Sequence, residues 1–153
     1  MGAANRAVAK VLVDSGPLIA LFDADDRWHA RVKSFVKDFR GELATSAANV
    51  TEAAWITSRL APACFDNLAA WLAKGAVTIH NLDPSDLSRI RQLAAKYRDL
   101  DPDFADLALL ALAERLGAYS IVTMDTRDFS SYRLRNGKRL VNLLGKRETR
   151  GRN

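Results

Sequence analysis

Cysteine and histidine are scarce in this chain of 153 residues, which contains one Cys and two His. The single cysteine, Cys64, excludes an intrachain disulfide and fits a reducing compartment. We expect Cys64 to be a small buried side chain. His29 and His80 are far apart in the sequence, so a zinc site is poorly supported, and we expect both to be structural or solvent-exposed.

Long apolar segments are also missing. The apolar stretch at residues 11–22 is interrupted by Asp14, Ser15, Gly16 and Pro17. It is therefore too short for a membrane span and makes a poor signal peptide. With 48% apolar and 27% charged residues, the composition is that of an ordinary globular protein. We expect a cytoplasmic protein that does not interact with a membrane.

Basic residues are in excess. Lys and Arg outnumber Asp and Glu by 23 to 18, which gives a formal net charge of +5 and favours anionic partners, nucleic acid first. Much of the excess lies after residue 132. The first part of this segment predicts a rim that binds phosphate groups, formed by Arg133, Arg135, Lys138 and Arg139. The last part is either an extension of that rim or a solvated, disordered tail, and it contains Lys146, Arg147, Arg150 and Arg152.

Short apolar strands alternate with helices along a chain whose length suits one domain. The alternation predicts an α/β fold with a central, mainly parallel sheet of four to five strands, covered by helices on both faces in three layers. We predict a flexible N-terminus (1–9), one folded domain (10–144) and a basic, disordered tail (145–153). Strands are predicted at residues 11–13, 43–45, 77–79 and 120–124. Helices are predicted at residues 18–22, 27–39, 48–60 and 62–74, from Asp83-Pro84 through Tyr97 and from Asp101-Pro102 to Leu116, with a short turn or helix near Phe129 and a candidate hairpin turn at Asn136-Gly137.

Acidic residues occupy positions where this fold binds ligands. Two predicted strands end in an aspartate, Asp14 and Asp125, and in a parallel sheet both carboxylates emerge at the carboxyl edge. Asp103 and Asp106 are three residues apart in the first turns of a predicted helix and therefore share one face of it. Glu52 lies one turn into another helix among apolar neighbours, where a charged residue is expected to be paired or to belong to a site.

Carboxylates gathered in this way repel each other, by about 3 kcal/mol for two of them about 5 Å apart at an effective dielectric constant of about 20. A divalent cation removes this penalty, and hard oxygen ligands suit Mg²⁺ or Mn²⁺. Such an ion, sharing its ligands with phosphate oxygens, would activate water and neutralise the charge that develops on the phosphate. Taken singly, each residue is also an ordinary turn former or helix cap, so the prediction depends on their joint arrangement.

The same residues carry a resemblance to PIN domains. Val11-Leu12-Val13-Asp14-Ser15, followed by Pro17-Leu18-Ile19-Ala20-Leu21, resembles the opening of that family, and Asn49-Val50-Thr51-Glu52 resembles its second acidic block. Asp103-Phe104-Ala105-Asp106-Leu107-Ala108-Leu109 resembles the third block, and Ile121-Val122-Thr123-Met124-Asp125 resembles the fourth. The four blocks keep the order that they have in the family.

The chain's size and its segment Asp26-Arg27-Trp28-His29 are most similar to the VapC-type toxins of toxin–antitoxin pairs. The resemblance implies an endoribonuclease that depends on Mg²⁺ or Mn²⁺, forms a homodimer and is inhibited by a cognate antitoxin. RNA, with tRNA as one candidate, is the implied substrate. The early helices that carry Trp28, Phe35 and Phe39 are a candidate groove for an antitoxin helix. The implied catalytic and metal-binding residues are Asp14, Glu52, Asp106 and Asp125, with Asp103 as a secondary metal ligand.

Three other interpretations remain open. Phosphoryl transfer through an aspartyl phosphate is disfavoured, because the haloacid-dehalogenase pattern needs a second Asp where this chain has Gly16, and the acidic pair and Lys of a receiver domain are not clear. A non-catalytic RNA-binding module with the PIN fold would have lost one acidic residue. A housekeeping PIN ribonuclease in RNA processing has the same chemistry as a toxin, and a small antitoxin gene immediately upstream would distinguish the two.

Overall fold

Five parallel strands form one sheet at the centre of the protein. The structure, a computed structural model, describes residues 8–125 and 128–144, so most of the predicted N-terminal segment and the whole predicted basic tail lie outside the described residues. The strands are β1 (Lys10–Val13), β2 (Glu42–Ser46), β3 (Thr78–His80), β4 (Ser120–Val122) and β5 (Val141–Asn142), and their order across the sheet is β3-β2-β1-β4-β5. All four strand pairs in the described residues are parallel, which confirms the predicted α/β fold with a mainly parallel sheet.

Seven α-helices surround the sheet in the described part of the chain. They are α1 (Ser15–Ala20), α2 (His29–Asp38), α3 (Ala47–Thr57), α4 (Pro62–Ala73), α5 (Pro84–Lys96), α6 (Phe104–Leu116) and α7 (Asp128–Ser131), with a 3₁₀ helix at Arg98–Leu100. None of the described helices is long and apolar enough to cross a membrane.

Alternation along β1 divides the core into two clusters, one on each face of the sheet. Leu12 packs on the face covered by α5 and α6, where Leu93 and Leu109 are fully buried. Val11 and Val13 point to the opposite face and belong to the cluster that includes the early helices and α4. Successive strand residues face opposite sides, so the continuous apolar run of β1 reflects a strand that is buried on both.

The aromatic residues of the early helices take part in this second cluster. Trp28, Phe35 and Phe39 are half-buried and pack against it, while Val32 of α2 is fully buried. Phe35 and Phe39 stack on one another with ring centroids 5.3 Å apart. These side chains are therefore part of the packing of the fold.

The predicted start of the helix that ends at Leu116 is wrong by about two residues. Asp101 instead has a left-handed backbone (φ 46°) and ends the 3₁₀ helix, and Asp103 is the N-cap of α6. The Asp103 carboxylate accepts a hydrogen bond from the N–H of Asp106 at 2.8 Å. A side chain that satisfies a free N–H of the first turn fixes where a helix begins, and here the second aspartate does so.

The hairpin turn predicted at Asn136-Gly137 is present. Gly137 N donates to Leu134 O at 2.8 Å, Leu134 N donates to Lys138 O at 2.9 Å, and Gly137 has a positive φ of 80°. The chain then continues into β5, which pairs with β4 in parallel. Asn-Gly favours a tight turn, but which strand the following segment joins is decided by the rest of the fold.

Candidate active site

Asp14 directly follows β1 and is fixed at the carboxyl edge of the sheet. Its N–H donates to Val122 O on β4 at 3.0 Å, which extends the strand pairing by one residue. Its Oδ1 accepts hydrogen bonds from Ser15 N at 2.8 Å and Asn49 Nδ2 at 3.4 Å. Its Oδ2 accepts one from the Thr123 hydroxyl at 2.8 Å. The carboxylate is buried, and three donors from three segments determine its orientation.

Glu52 on α3 is connected to Asp14 through two buried polar residues. The Ser15 hydroxyl donates to Glu52 Oε2 at 3.2 Å and accepts from Asn49 Nδ2 at 3.1 Å. Asn49 is fully buried at the start of α3, and its side-chain carbonyl accepts from the Ser46 hydroxyl that caps this helix. A fully buried amide is stable only when its donors and acceptors are satisfied, so Asn49 holds α3 and Asp14 in a defined relation.

Asp125 reaches the same edge through Thr123. β4 ends at Val122, so Asp125 lies three residues beyond it and not directly at its end as the sequence predicts. The fully buried Thr123 hydroxyl accepts a hydrogen bond from Asp125 N at 3.0 Å while it donates to Asp14. One hydroxyl therefore ties the backbone of Asp125 to the side chain of Asp14.

Asp103 and Asp106 come from the N-terminal end of α6. Asp103 is exposed and its Oδ1 caps the helix, while Asp106 is half-buried in the first turn. The positive end of the helix dipole favours negative charge at both positions. The structure thus brings Asp14, Glu52, Asp103, Asp106 and Asp125, all five acidic residues predicted for the site, to one edge of the sheet.

Burial and mutual repulsion raise the pKa values of three of these carboxylates. Burial raises the pKa of Asp106 to about 8, with further contributions from the negative charges of Asp14, Asp103 and Asp125. Burial raises the pKa of Asp14 to about 6, against the lowering effect of its hydrogen bonds from Thr123 and Ser15. The pKa of Glu52 is also raised, by burial and by Asp103. Such a cluster stays fully ionised near neutral pH only with added positive charge.

The donor set suits a hard divalent cation bound in an open site. All of the candidate ligands are carboxylates, and their oxygens suit Mg²⁺ or Mn²⁺. Zinc sites typically use N and S ligands instead. Within residues 8–125 and 128–144, no three His, Cys, Asp or Glu side chains stand close enough to enclose a metal ion. Mg²⁺ does not need such a cage, because it usually keeps several waters and takes one or two protein carboxylates beside substrate phosphate.

A groove opens beside the acidic residues. It has a volume of about 500 Å³ and contains Glu52 and Asp103 together with two exposed aromatic rings, Trp55 on α3 and Phe104 on α6. Trp55 is 61% exposed and Phe104 is 51% exposed. The Arg59 guanidinium lies 3.7 Å from the centre of the Trp55 ring. Two large apolar side chains with little cover mark a surface suited to a partner.

Two residues of the predicted phosphate-binding rim, Arg133 and Arg135, make hydrogen bonds within the fold. Arg133 donates to carbonyl oxygens of Ser130, Ser131 and Tyr132. Arg135 donates from its backbone N to Glu114 near the C-terminal end of α6, opposite the end that carries Asp106. The second half of the predicted rim, residues 146–152, lies outside the described residues.

Sequence reasoning missed Asn49, which contacts Asp14, and Asn142, which contacts Thr123. Asn49 stands next to the block that contains Glu52, and Asn142 lies in the shortest strand of the sheet. Both act through side-chain hydrogen bonds to residues far away in the sequence, a relation that spacing does not reveal. The available signal for Asn49 was its place among apolar neighbours at a helix start, where a buried amide needs partners.

A family profile and a curated relative both match this chain. The PIN domain profile matches residues 11–134. Ribonuclease VapC26 of Mycobacterium tuberculosis (strain ATCC 25618 / H37Rv) is 28% identical over 132 residues, which cover 86% of this chain and 98% of the relative. The range matched by the profile includes the positions of all five acidic residues of the site.

Solved structures have the same fold. VapC20 of Mycobacterium tuberculosis, described as a toxin that cleaves the sarcin-ricin loop, matches with a TM-score of 0.72 at 19% identity, over 78% of this chain and 92% of that one. A chain of a toxin–antitoxin complex from Klebsiella pneumoniae matches with a TM-score of 0.61 at 21% identity, over 79% and 91%. At these identities the likeness concerns the fold, and it agrees with the match of the family profile over most of the chain: the protein belongs to the PIN domain family.

Proposed function

We propose that this protein is an endoribonuclease that depends on Mg²⁺ or Mn²⁺ and acts as the toxin of a VapBC-type toxin–antitoxin pair. The observation that carries the proposal is Asp14, a buried carboxylate oriented by Ser15, Asn49 and Thr123 at the edge where the other acidic residues meet. The raised pKa values of Asp14 and Asp106 support a cationic ligand, since their charge is otherwise uncompensated.

The chain's own residues have separable tasks in this proposal. Asp14, Glu52, Asp106 and Asp125 would provide the carboxylates around the cation, with one or two of them as direct ligands, and the cation would supply activation of water and charge neutralisation at the phosphate. Ser15, Asn49 and Thr123 keep the Asp14 and Glu52 carboxylates in place before substrate arrives. Pre-oriented groups do not have to reorganise during the reaction, which is how a site of this kind lowers the barrier. Asp103 contributes negative charge and orders the start of α6.

RNA is the proposed substrate. The formal charge of +5 supports a polyanion, and the curated relative VapC26 is named a ribonuclease. Within RNA, tRNA is one candidate target.

Cleavage of a total-RNA or tRNA pool tests the activity. The purified protein is incubated with Mg²⁺, with Mn²⁺ or with EDTA, beside Asp14→Asn. Asp66→Asn, which removes one charge from an exposed position on α4, is the matched control. We expect cleavage that requires the metal, is retained by the control and falls at least about 100-fold in Asp14→Asn, since a metal ligand is lost.

Two results would contradict this proposal. Cleavage by Asp14→Asn at the rate of the unchanged protein would exclude Asp14 from the site. If the protein binds RNA but neither cleaves it nor binds Mn²⁺, the non-catalytic PIN-fold module is favoured. A toxin is separated from a housekeeping ribonuclease by expression in a host cell: growth arrest that Asp14→Asn abolishes supports the toxin, and unchanged growth despite cleavage in vitro supports the housekeeping enzyme.

The proposed antitoxin site is the groove between α1, α2 and α4, with a volume of about 610 Å³. Its floor includes Phe22 and Trp71, whose rings meet edge to face, and its rim carries Lys33, Lys37 and Lys74. An amphipathic helix with an apolar stripe and acidic flanks fits this combination. Since Phe35 and Phe39 pack against the core, alanine substitutions there would test folding and not binding.

The rim lysines provide the cleaner test of antitoxin binding. Lys33→Glu with Lys37→Glu is expected to weaken the complex with a co-expressed antitoxin mainly through the association rate, because rim charges act at long range. Lys96→Glu, on α5 and outside the groove, is the control. Equal affinity of the double variant and the control, measured by surface plasmon resonance, would place the antitoxin elsewhere.

A further inference from the structure

The last described strand, β5, contacts the acidic site through one side chain. β5 consists of Val141 and Asn142 and lies beyond residues 11–134, which the PIN domain profile matches. Its backbone pairs with β4 through Val141 N to Tyr119 O at 2.8 Å and Leu143 N to Ile121 O at 2.9 Å. Regular backbone pairing with β4 thus reaches Ile121, two residues before Thr123.

The Asn142 amide continues this pairing to Thr123. Its Nδ2 donates to Thr123 O at 2.9 Å, and its Oδ1 accepts from Thr123 N at 3.3 Å and from Leu144 N at 3.1 Å. A side-chain amide has the same donor and acceptor groups as a peptide unit, so it can replace the next residue of a strand. Both backbone polar groups of the buried Thr123 are satisfied in this way.

Thr123 transmits this arrangement to two acidic residues. Its hydroxyl donates to Asp14 Oδ2 at 2.8 Å and accepts from Asp125 N at 3.0 Å. A hydroxyl can make both bonds only when its backbone is held at the right position and angle. Displacement of Thr123 would therefore change the orientation of the Asp14 carboxylate and the path of the chain to Asp125 together.

We propose that Asn142 is a positioning residue of the acidic site, which acts through Thr123 on Asp14 and Asp125 without touching the metal or the RNA. The inference rests on the proposed function for its effect on metal binding. The proposal gives β5 a role in the site in addition to its role as the edge strand next to β4. The effect on metal affinity is expected to be smaller than the roughly 10- to 100-fold that removal of a direct partner of a metal ligand costs, because Asn142 is one residue further away.

Calorimetric titration with Mn²⁺ tests the proposal independently of cleavage. Asn142→Leu, which has a similar shape without the amide, is expected to weaken Mn²⁺ binding about three- to tenfold, and Thr123→Val by about tenfold or more. Thr123→Ser, which restores the hydroxyl, is expected to bind nearly as the unchanged protein does. Val141→Thr is the control, because Val141 is exposed on the same strand.

A double-mutant cycle shows whether Asn142 acts through Thr123. Asn142→Leu with Thr123→Val should bind Mn²⁺ no more weakly than Thr123→Val alone, since both remove the same connection. A merely structural role predicts the opposite: a lower melting temperature, unchanged Mn²⁺ affinity for Asn142→Leu, and additive effects in the double variant. Either of these last two findings would overturn the proposal. If Asn142→Leu does not fold, Asn142→Asp, which keeps the acceptors and loses the donor, replaces it.

Amide hydrogen exchange separates failure of this inference from failure of the proposed function. In the unchanged protein without metal, Thr123 and Asp125 should exchange slowly, and Asn142→Leu should accelerate both while leaving β1 protected. If the unchanged protein binds no Mn²⁺ and cuts no RNA, the proposed function fails while this exchange result still decides the role of Asn142. Unchanged exchange at Asp125 would show that Asn142 does not position the site.

Discussion

Among the carboxylates of the site whose pKa is raised to a stated value, Asp106 has the higher pKa. Its pKa is raised from 3.8 to about 8 by burial and by the charges of Asp14, Asp103 and Asp125. The unfolded chain loses its proton near pH 4, whereas the folded protein keeps it until about pH 8. The folded state therefore binds more protons throughout this interval, and the free energy of unfolding must decrease as pH rises across it.

Replacement of Asp106 by Asn should remove this dependence. We expect Asp106→Asn to be about as stable as the unchanged protein near pH 4 and more stable by roughly 1–2 kcal/mol at pH 8 in the absence of metal, a value that allows for solvent screening of a half-buried group. Urea unfolding at several pH values measures the difference. Mn²⁺ should reduce it by stabilising only the unchanged protein, and Asp66→Asn should show no such trend. A gap between the two proteins that is constant from pH 4 to pH 8 would contradict the assignment.

Asn49 is an uncharged residue that orients two residues of the site, Asp14 and Ser15. It is fully buried, and its amide donates to both Asp14 and Ser15. In Asn49→Ala these donors disappear and the Ser46 hydroxyl loses an acceptor. We expect a loss of about 1–3 kcal/mol in the free energy of unfolding and a fall in kcat with little change in KM. Asn67→Ala, the same change at an exposed position on α4, is the control. Wild-type kcat in a destabilised Asn49→Ala would limit Asn49 to a structural role.

At the scale of secondary-structure elements, the sequence predicts strands and helices well and their ends less well. Apolar runs such as Val11–Val13 identify the strands, because a parallel strand is buried on both faces. The Asp-Pro pair at Asp83 does begin a helix, where Asp83 and Asp86 form a capping box. The same pair at Asp101 does not, since Asp103 offers the better cap. β5 could not be predicted as a parallel strand, because its two residues pair only through contacts with β4.

In the site, the positions of the acidic residues could be predicted from the sequence, and the hydrogen bonds that orient them could not. The four acidic residues predicted from strand ends and motif order do converge, because parallel strands place their carboxyl ends at one edge. The hydrogen bonds that orient them do not follow from spacing: Asn49 lies 35 residues from Asp14, and Thr123 lies 109 residues from it. Those contacts exist only once the sheet is assembled.

The N-terminal end of α6 allows the cap function of Asp103 to be separated from its charge. Asn is as good an N-cap as Asp, whereas Ala cannot accept the hydrogen bond from Asp106 N. We expect Asp103→Asn to keep its stability and Asp103→Ala to lose about 1 kcal/mol, as measured by urea unfolding. If Asp103 is mainly a cap, RNA cleavage by Asp103→Asn should fall less than about tenfold. A loss by Asp103→Asn as large as that of Asp14→Asn would instead make Asp103 a full metal ligand.

At the scale of the whole molecule, the exposed aromatic groove is the feature that a monomer explains least. Trp55 and Phe104 belong to different helices, yet they share one groove beside Glu52 and Asp103. Exposed apolar side chains that are contiguous often mark an interaction surface. We propose that a second copy of the chain covers them, which would set the two acidic sites of a homodimer close to their common interface.

Sedimentation equilibrium of single-residue variants tests this arrangement. The unchanged protein is expected to be a dimer at micromolar concentration. Trp55→Glu is expected to be a monomer, because it removes a large apolar ring and adds a negative charge to a groove that already contains Glu52 and Asp103. Leu87→Glu is the control, since Leu87 is 49% exposed on α5 and outside the groove. A dimer that survives Trp55→Glu would place the interface elsewhere. If the mass is unchanged while Trp55→Ala raises KM for RNA, the groove binds nucleotides in place of a second copy, since stacking on an aromatic ring contributes to binding of single-stranded RNA.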